Sequence, residues 1–425
     1  MRATLTLVHR WFGLAIAGFL FVSGLTGAVI SWDHELDELL NPHLNEVASV
    51  GPAIPSLELA AQVEARDPRV RVTYVPLAAE PGHALSMFVD PLRNPATGRM
   101  YEVGYNQVFL DPVTGAEQGR RYWGAAWPIT SETLVSFFYV LHYSLQFPDH
   151  GGTWLLGAVA IIWMLDCLVG FCLTLPVARA ADPSRPAAVT RQLARGWWAR
   201  WAPAWQIKTG GSPYRINFDI HRAFALWCWA LLFILAFTAF SLNLYREIFY
   251  PVMSLVSDVT PTPFDVRDIA DHDQPIEPLL GYADVLDRAR AEAGRRGWSE
   301  PAGAVFYSQE FGVFGVGFFK LGDDHGAAGV GPAELYFDGR DGRLLGERVP
   351  WKGTVADLFV QAQFPLHSGR ILGLPGRILI SLMGLVVAAL SVTGVVIWAR
   401  KRRARMALAR RRDRRADLSS TQPAE

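Results

Sequence analysis

Four histidines could do chemistry in this chain, and their spacing singles them out. His9 and His221 each open a long apolar run, HRWFGLAIAGFLFVSGLTGAVISW and HRAFALWCWALLFILAFTAFSLNLYREI. Laid over each other, Arg10 falls on Arg222, Phe12 on Phe224, Thr26 on Thr238 and Glu35 on Glu247. His142 and His367 sit in two amphipathic stretches, SETLVSFFYVLHYSLQF and GTVADLFVQAQFPLHSG, each just ahead of a further apolar run. Histidine at membrane depth is costly unless it faces a bundle interior with a partner. Two imidazoles from facing helices at one level are natural axial ligands for a six-coordinate haem iron, which transfers electrons and leaves no axial position open. The repeat offers two such pairs, His9 with His221 at one membrane face and His142 with His367 at the other. Zinc, copper or a proton relay are the other readings of the same residues. Asp166 is an acid deep in an apolar run, read as a proton relay or as a partner of Arg377.

The elements that must position these residues are membrane spans. The 425 residues are 51% hydrophobic, with a positive mean hydropathy, which suits a membrane protein with sizeable polar parts. Four runs are long and apolar enough to cross a bilayer: 11–32, 153–176, 222–245 and 374–398. The first is too long for a signal-peptide core and reads as a retained helix. Formal net charge is zero, but its distribution is uneven. Arg179, Arg185, Arg191, Arg195, Arg200, Lys208 and Arg215 lie between the second and third runs, and RKRRARMALARRRDRR follows the fourth. The positive-inside rule puts these segments and both termini in the cytoplasm, and 33–150 and 246–370 outside; for a Gram-negative host that is the periplasm, and the membrane expected is the inner one.

Each outer segment reads as a small α+β domain. The first has a helix at 56–65, strands at 71–77 and 84–89, and a strand and turn at 107–115. The second has a helix at 279–293, strands at 304–307 and 313–321, and a strand and turn at 334–342. The turns align, Asp111 and Gly115 against Asp338 and Gly342, in positions that suit hairpins and give the aspartates a structural role. The fold expected is therefore a four-helix transmembrane bundle built from an internal repeat, carrying two outer α+β domains.

Several features carry less. Cys167, Cys172 and Cys228 all fall in apolar runs and form neither a disulfide framework nor a metal pattern. Residues 312–317 (GVFGVG) mimic a nucleotide fingerprint but lie in a strand with no helix after it. No P-loop, nucleophile elbow or HExxH motif occurs. The basic tail reads as an anchor to anionic membrane lipid, with no nucleic-acid partner, and Trp197, Trp198, Trp201 and Trp205 as an interfacial belt. His34, His43, His83, His150, His272 and His325 fall in outer loops and read as surface residues, with His34 and His150 the candidates for a further haem ligand.

The chain resembles the PepSY-associated transmembrane family, also described as iron-regulated membrane proteins. The resemblance rests on His9-Arg10-Trp11-Phe12-Gly13-Leu14 with Thr26-Gly27, the Asp111–Gly115 hairpin, Leu141-His142, Asp219-Ile220-His221-Arg222, Leu366-His367, and Thr393-Gly394 with Trp398, so it covers nearly the whole chain. It implies four spans, two periplasmic PepSY-type domains and b-type haems, two of which are expected. His9 and His221 would hold one and His142 and His367 the other. Some members are similar to ferrisiderophore reductases, which reduce ferric iron in an imported siderophore and release ferrous iron. The resemblance thus implies a ferric-chelate reductase acting on a ferric siderophore or other ferric chelate. The cytoplasmic stretches, 177–221 and 399–425, leave no room for a flavin domain, so the electron donor expected is a separate cytoplasmic flavoprotein or a membrane quinol. Trp127, Tyr143 and Arg370 are read as lying beside the outer pair, toward the acceptor. The competing readings are a non-catalytic scaffold whose PepSY-type domains bind a partner protein, and a membrane protein that handles another metal through the same histidines.

Overall fold

The computed structural model describes residues 1–148, 150–176, 196–271 and 273–420, the last nine of these by backbone alone. In chain order its main helices are α1 (Arg2–Ile30), α2 (Asp33–Leu40), α3 (Ser56–Arg66), α4 (Ser131–Ser144), α5 (Gly151–Thr174), α6 (Pro213–Trp227), α7 (Trp229–Asn243), α8 (Tyr282–Arg295), α9 (Val355–Gln361), α10 (Gln363–Ser368) and α11 (Leu374–Ser420). The strands are β1 (Val70–Pro76), β2 (Leu85–Pro91), β3 (Gln107–Leu110), β4 (Glu117–Arg121), β5 (Ala302–Ser308), β6 (Val313–Phe318), β7 (Ala333–Asp338) and β8 (Leu344–Arg348). The arginines at 179, 185, 191 and 195, and His272, lie outside the described residues.

Helices α1, α5 and α11 are long and apolar enough to cross a membrane. The third expected span differs from its sequence reading. In place of one helix over 222–245, α6 and α7 meet at Cys228 in a bend of 70°, so a fourth crossing exists only if the bent pair counts as one. No proline stands at the break, and charge placement accounts for it. Asp219 of α6 is fully buried and accepts from Arg215 Nε at 2.9 Å and Arg222 Nη2 at 2.7 Å. Arg222 also donates to the carbonyls of Pro203 (2.7 Å) and Ala204 (3.1 Å). These bonds hold the polar helix α6 against the preceding segment while the apolar α7 turns away to pack along α5.

First and last helices touch backbone to backbone. A Cβ built at Gly24 would lie 2.6 Å from the Gly384 carbonyl oxygen, and one at Gly384 would overlap the Gly24 carbonyl. Small residues at a crossing let apolar helices approach closely where no hydrophobic driving force separates helix from lipid. Around this crossing Arg377 of α11 lies over the Trp32 ring and bonds the Ser31 carbonyl and Glu35, and Trp32 Nε1 donates to Ser381 Oγ at 2.9 Å.

The eight strands form one antiparallel sheet in the order β4-β3-β2-β1-β5-β6-β7-β8. The two outer segments thus share a sheet, joined where β1 pairs with β5 at Tyr74↔Phe306, Val75↔Val305 and Pro76↔Ala304. Helices α3 and α8 cover one face. Leu59 and Val63, with Val285, Leu286 and Ala289, pack there on Val72, Met87, Val108, Val316 and Leu335. The other face is aromatic and reaches toward the helices, with Phe88 against Trp123 (6.4 Å) and Trp123 against Tyr139 of α4 (5.2 Å). Residues 313–318 are fully buried strand, as the rejection of a nucleotide loop requires.

Both hairpin aspartates serve their turns. Asp111 accepts from Ser49 Oγ (2.6 Å) and the Val113 N–H (2.8 Å), and Asp338 from Arg267 and the Arg340 N–H. Gly115 and Gly342 both stand at φ +70°, where a side chain would be strained. Burial works to raise each carboxyl, but these donors outweigh it and hold both below the usual carboxylate range.

Two predictions follow from the packing. Gly24→Leu or Gly384→Leu should cost about 1–3 kcal/mol through forced separation of α1 and α11, read as a lower melting temperature in detergent. Gly18→Ala, where a Cβ meets nothing within 4 Å, should not lower it. Because the folded-state pKa of Asp338 is depressed, its contribution to stability is present above the unfolded carboxylate pKa and is lost as pH falls through the folded value. Asp338→Asn should flatten the loss of thermal stability in that acid range, measured by melting at stepped pH.

Candidate functional site

The structure brings the four histidines together in two pairs. At the end away from the sheet, His9 of α1 meets His221 of α6 with ring centroids 6.3 Å apart, tilted by 55°. At the sheet end, His142 of α4 meets His367 of α10 at 6.1 Å and 53°. His142 is held at the level of Thr26 of α1, which lies about 25 Å along the helix from His9 at 1.5 Å per residue. The pairs therefore sit at opposite ends of the helical part.

Each ring is held from behind at Nδ1. His142 Nδ1 lies 3.1 Å from Thr26 Oγ1 and 3.0 Å from the Ser23 carbonyl oxygen. His367 Nδ1 lies 2.9 Å from Thr238 Oγ1, and His221 Nδ1 2.9 Å from Thr393 Oγ1. His9 Nδ1 lies 2.9 Å from Asp166 Oδ1. The direction of these bonds follows from where the threonine protons go. Thr26, Thr238 and Thr393 donate to the carbonyls of Val22, Ile234 and Ala389, each at 2.8 Å, the back-bonding common for threonine within a helix. With its proton spent there, each hydroxyl can only accept from the imidazole, as can the Ser23 carbonyl and the Asp166 carboxylate. The network thus assigns the proton to Nδ1 in all four rings and leaves the Nε2 lone pair as the free donor.

Glycine makes room for the rings. A Cβ at Gly27 would lie 2.9 Å from Cε1 of His142, one at Gly394 3.2 Å from Cε1 of His221, and one at Gly170 3.4 Å from Cε1 of His9. Gly170 and Gly394 take matching positions in α5 and α11, which extends the repeat to those helices. Two imidazoles whose outward nitrogens each lie about 2 Å from one shared metal would have ring centroids about 6 Å apart. Both pairs stand at that spacing. Each pair supplies two nitrogens, and the carboxylate that meets the His9–His221 pair, distal to the sheet, does so on the back of the His9 ring. Such a donor set suits a metal that brings its other ligands with it, as a porphyrin iron does, so the residues present fit a haem at each end.

The remaining sequence candidates go elsewhere. Asp166 meets His9, whereas Arg377 is at the opposite end with Glu35 and Ser31, so the reading that joined Asp166 to Arg377 is corrected. His34 packs on His325 (5.4 Å) and His150 stacks on Trp154 (6.1 Å). Arg370 Nη2 lies 3.8 Å from Asp33, Tyr143 packs on Tyr139, and Trp127 is 81% exposed. Among the described residues no hydrogen bond or ring contact joins these last three. Trp201 is buried against Phe171, so the tryptophan cluster is partly packed inside, with Trp198 left exposed. Sequence reasoning missed the roles of the threonines and of Asp166. Part of their signal was present in the repeat, which places Thr26 and Thr238 at matching positions after His9 and His221, and in the small residue that follows each threonine: Gly27, Ala239 or Gly394.

A family model described as the PepSY-associated TM region matches residues 6–401. The chain belongs to that family. It is a membrane protein with several apolar helices and an antiparallel sheet. No curated protein matches the chain. The family match takes in all four histidines and all four residues behind them.

The tautomer assignment can be checked without any cofactor. In protein labelled with 15N-histidine, the four rings should show the Nδ1–H form. Thr393→Val should perturb His221 and leave His142 and His367 unchanged, at a stability cost of about 1 kcal/mol for one hydrogen bond.

Proposed function

We propose that this PepSY-family protein is a di-haem electron carrier of the inner membrane that reduces a ferric siderophore or another ferric chelate on its outer side and releases ferrous iron. One observation carries the reading. Two histidine pairs, each fixed with Nε2 free, stand at bis-imidazole spacing at opposite ends of the helices. His9 and His221 would hold one b-type haem and His142 and His367 the other. When bound, such a group would supply one-electron redox chemistry at each end.

The chain's own residues supply the rest. The threonines and Asp166 hold each imidazole in one tautomer and one orientation, so little must move when a metal is bound. Gly27, Gly170 and Gly394 keep space beside the rings. Positive-inside charge supports an orientation with both termini and the His9–His221 pair toward the cytoplasm and the sheet in the periplasm. The outer segments would then be the two PepSY-type units, fused through β1 and β5, and α1, α5, the bent pair α6–α7 and α11 would be the four crossings. A cytoplasmic flavoprotein or a membrane quinol would supply electrons. Ferric iron is a harder cation than ferrous iron and binds oxygen-donor chelators more tightly, so reduction weakens its hold.

The deciding measurement is the oxidised and dithionite-reduced visible spectrum of detergent-purified protein, with a pyridine haemochrome assay. Low-spin b-type bands and two haems per chain are expected. His9→Ala and His221→Ala should each lose the same haem, and His142→Ala and His367→Ala the other. Reduced protein should be reoxidised by ferric siderophores. A folded, colourless protein that takes up no added haem would leave the scaffold reading in place.

A further inference from the structure

The four histidines are not held alike. Three accept their orientation from a threonine hydroxyl, and only His9 from a carboxylate. The repeat shows that this is a replacement. With Gly170 matched to Gly394, Thr393 corresponds to Val169, which has no hydroxyl, and Asp166 corresponds to Leu390. Helix α5 has therefore lost the threonine that would back His9 and has gained an acid one turn earlier. Asp166 is 8% exposed, and a Cβ built at Gly13 would lie only 3.7 Å from its Oδ2, which shows how closely α1 covers it. Among the described residues its ion-pair partner is His9. An acid inside an apolar helix is expensive to retain, and a hydroxyl serves equally well to orient an imidazole in the other three places. The carboxylate must be valued for what a hydroxyl does not do.

That difference is electronic. A carboxylate that accepts from Nδ1–H makes the imidazole a more basic, more strongly donating ligand, and it places negative charge in a region of low dielectric. Both effects favour the more highly charged, oxidised form of a metal bound at Nε2, and second-shell hydrogen bonding is one of the levers that set haem potential.

We propose that Asp166 is a positioning and tuning residue that gives the His9–His221 haem a lower reduction potential than the His142–His367 haem, so that electron transfer runs downhill toward the sheet. This rests on the haem reading above. The ordered step is transfer of one electron, in which one haem is oxidised as the other is reduced and no bond is made or broken. The donor that refills the first is the flavoprotein or quinol, and the acceptor that empties the second is the ferric chelate.

The test is a potentiometric titration, followed by visible absorbance, of the full-length haem-loaded protein. Two potentials are expected. His142→Ala leaves only the distal haem, and that haem should carry the lower potential. Asp166→Asn keeps an acceptor for Nδ1–H but removes the charge. It should raise the lower potential by the equivalent of at least a tenfold change in equilibrium constant, about 59 mV for one electron, and move the higher one by less. Asp166→Glu should restore the low value. A distal haem with the higher potential, or loaded Asp166→Asn with both potentials unchanged, would overturn the proposal and leave the di-haem reading intact. If Asp166→Asn fails to fold, the order measured in His142→Ala can still overturn the proposal, and Asp166→Glu, which keeps the charge at a different reach, tests the residue itself. Wild-type protein without haem would instead remove the reading on which the proposal rests.

Discussion

Contact between Gly24 and Gly384 sets the geometry of the helical part. Helix α1 carries His9 and Thr26, and α11 carries Thr393 and the Arg377–Ser381 group that grips Trp32 and Glu35. Bringing the two backbones together fixes how far the parts of both sites on these helices lie from one another. Nothing larger than glycine fits there, and a crossing that close gives the dispersion contacts that must replace hydrophobic collapse in lipid. The repeat puts Ala236 of α7 and Ala160 of α5 at the matching positions, and both are buried. The crossing of α1 with α11 is built on glycine, and its repeat-related positions on α7 and α5 carry alanine.

On this frame, chemistry is specified by where protons are allowed to go. A helical threonine spends its hydroxyl proton on the carbonyl one turn back, so it can only accept from the ring beside it. An otherwise ambiguous imidazole thereby becomes a defined donor at Nε2. The cost is small, since a back-bonding threonine perturbs its helix only slightly, and the device needs no charge. The one charged version stands out for that reason.

Much of this was legible in the chain because the signals were periodic. The repeat, three of the spans and the identity of the paired histidines follow from apolar run length and from matched residues. Strands β1, β2, β3, β5, β6 and β7 are rich in apolar, β-branched and aromatic residues and could be read. Strands β4 and β8 could not: Glu117–Arg121 is polar throughout and becomes a strand only because β3 offers it a partner edge. The bend at Cys228 was hidden for a related reason. Hydropathy over 222–245 is continuous, and the bonds that tie Arg222 of α6 to the carbonyls of residues 203 and 204 join it to a segment that no local pattern contains. The partner of Asp166 was misread because sequence distance says nothing about which end of a neighbouring helix a residue faces.

The pairing of β1 with β5 has a consequence for assembly. These strands are equivalent members of the two halves, and they meet antiparallel, centred on Val75 opposite Val305. His9 with His221 and His142 with His367 are also equivalents meeting each other. Contacts between equivalents are what a pseudo-twofold relation between the two halves produces. A polypeptide containing a single half would expose an unpaired strand edge and half of each histidine pair. It could bury them only by joining a second copy of itself in a symmetric dimer. Fusion of the halves makes that association permanent, and it frees each half to diverge.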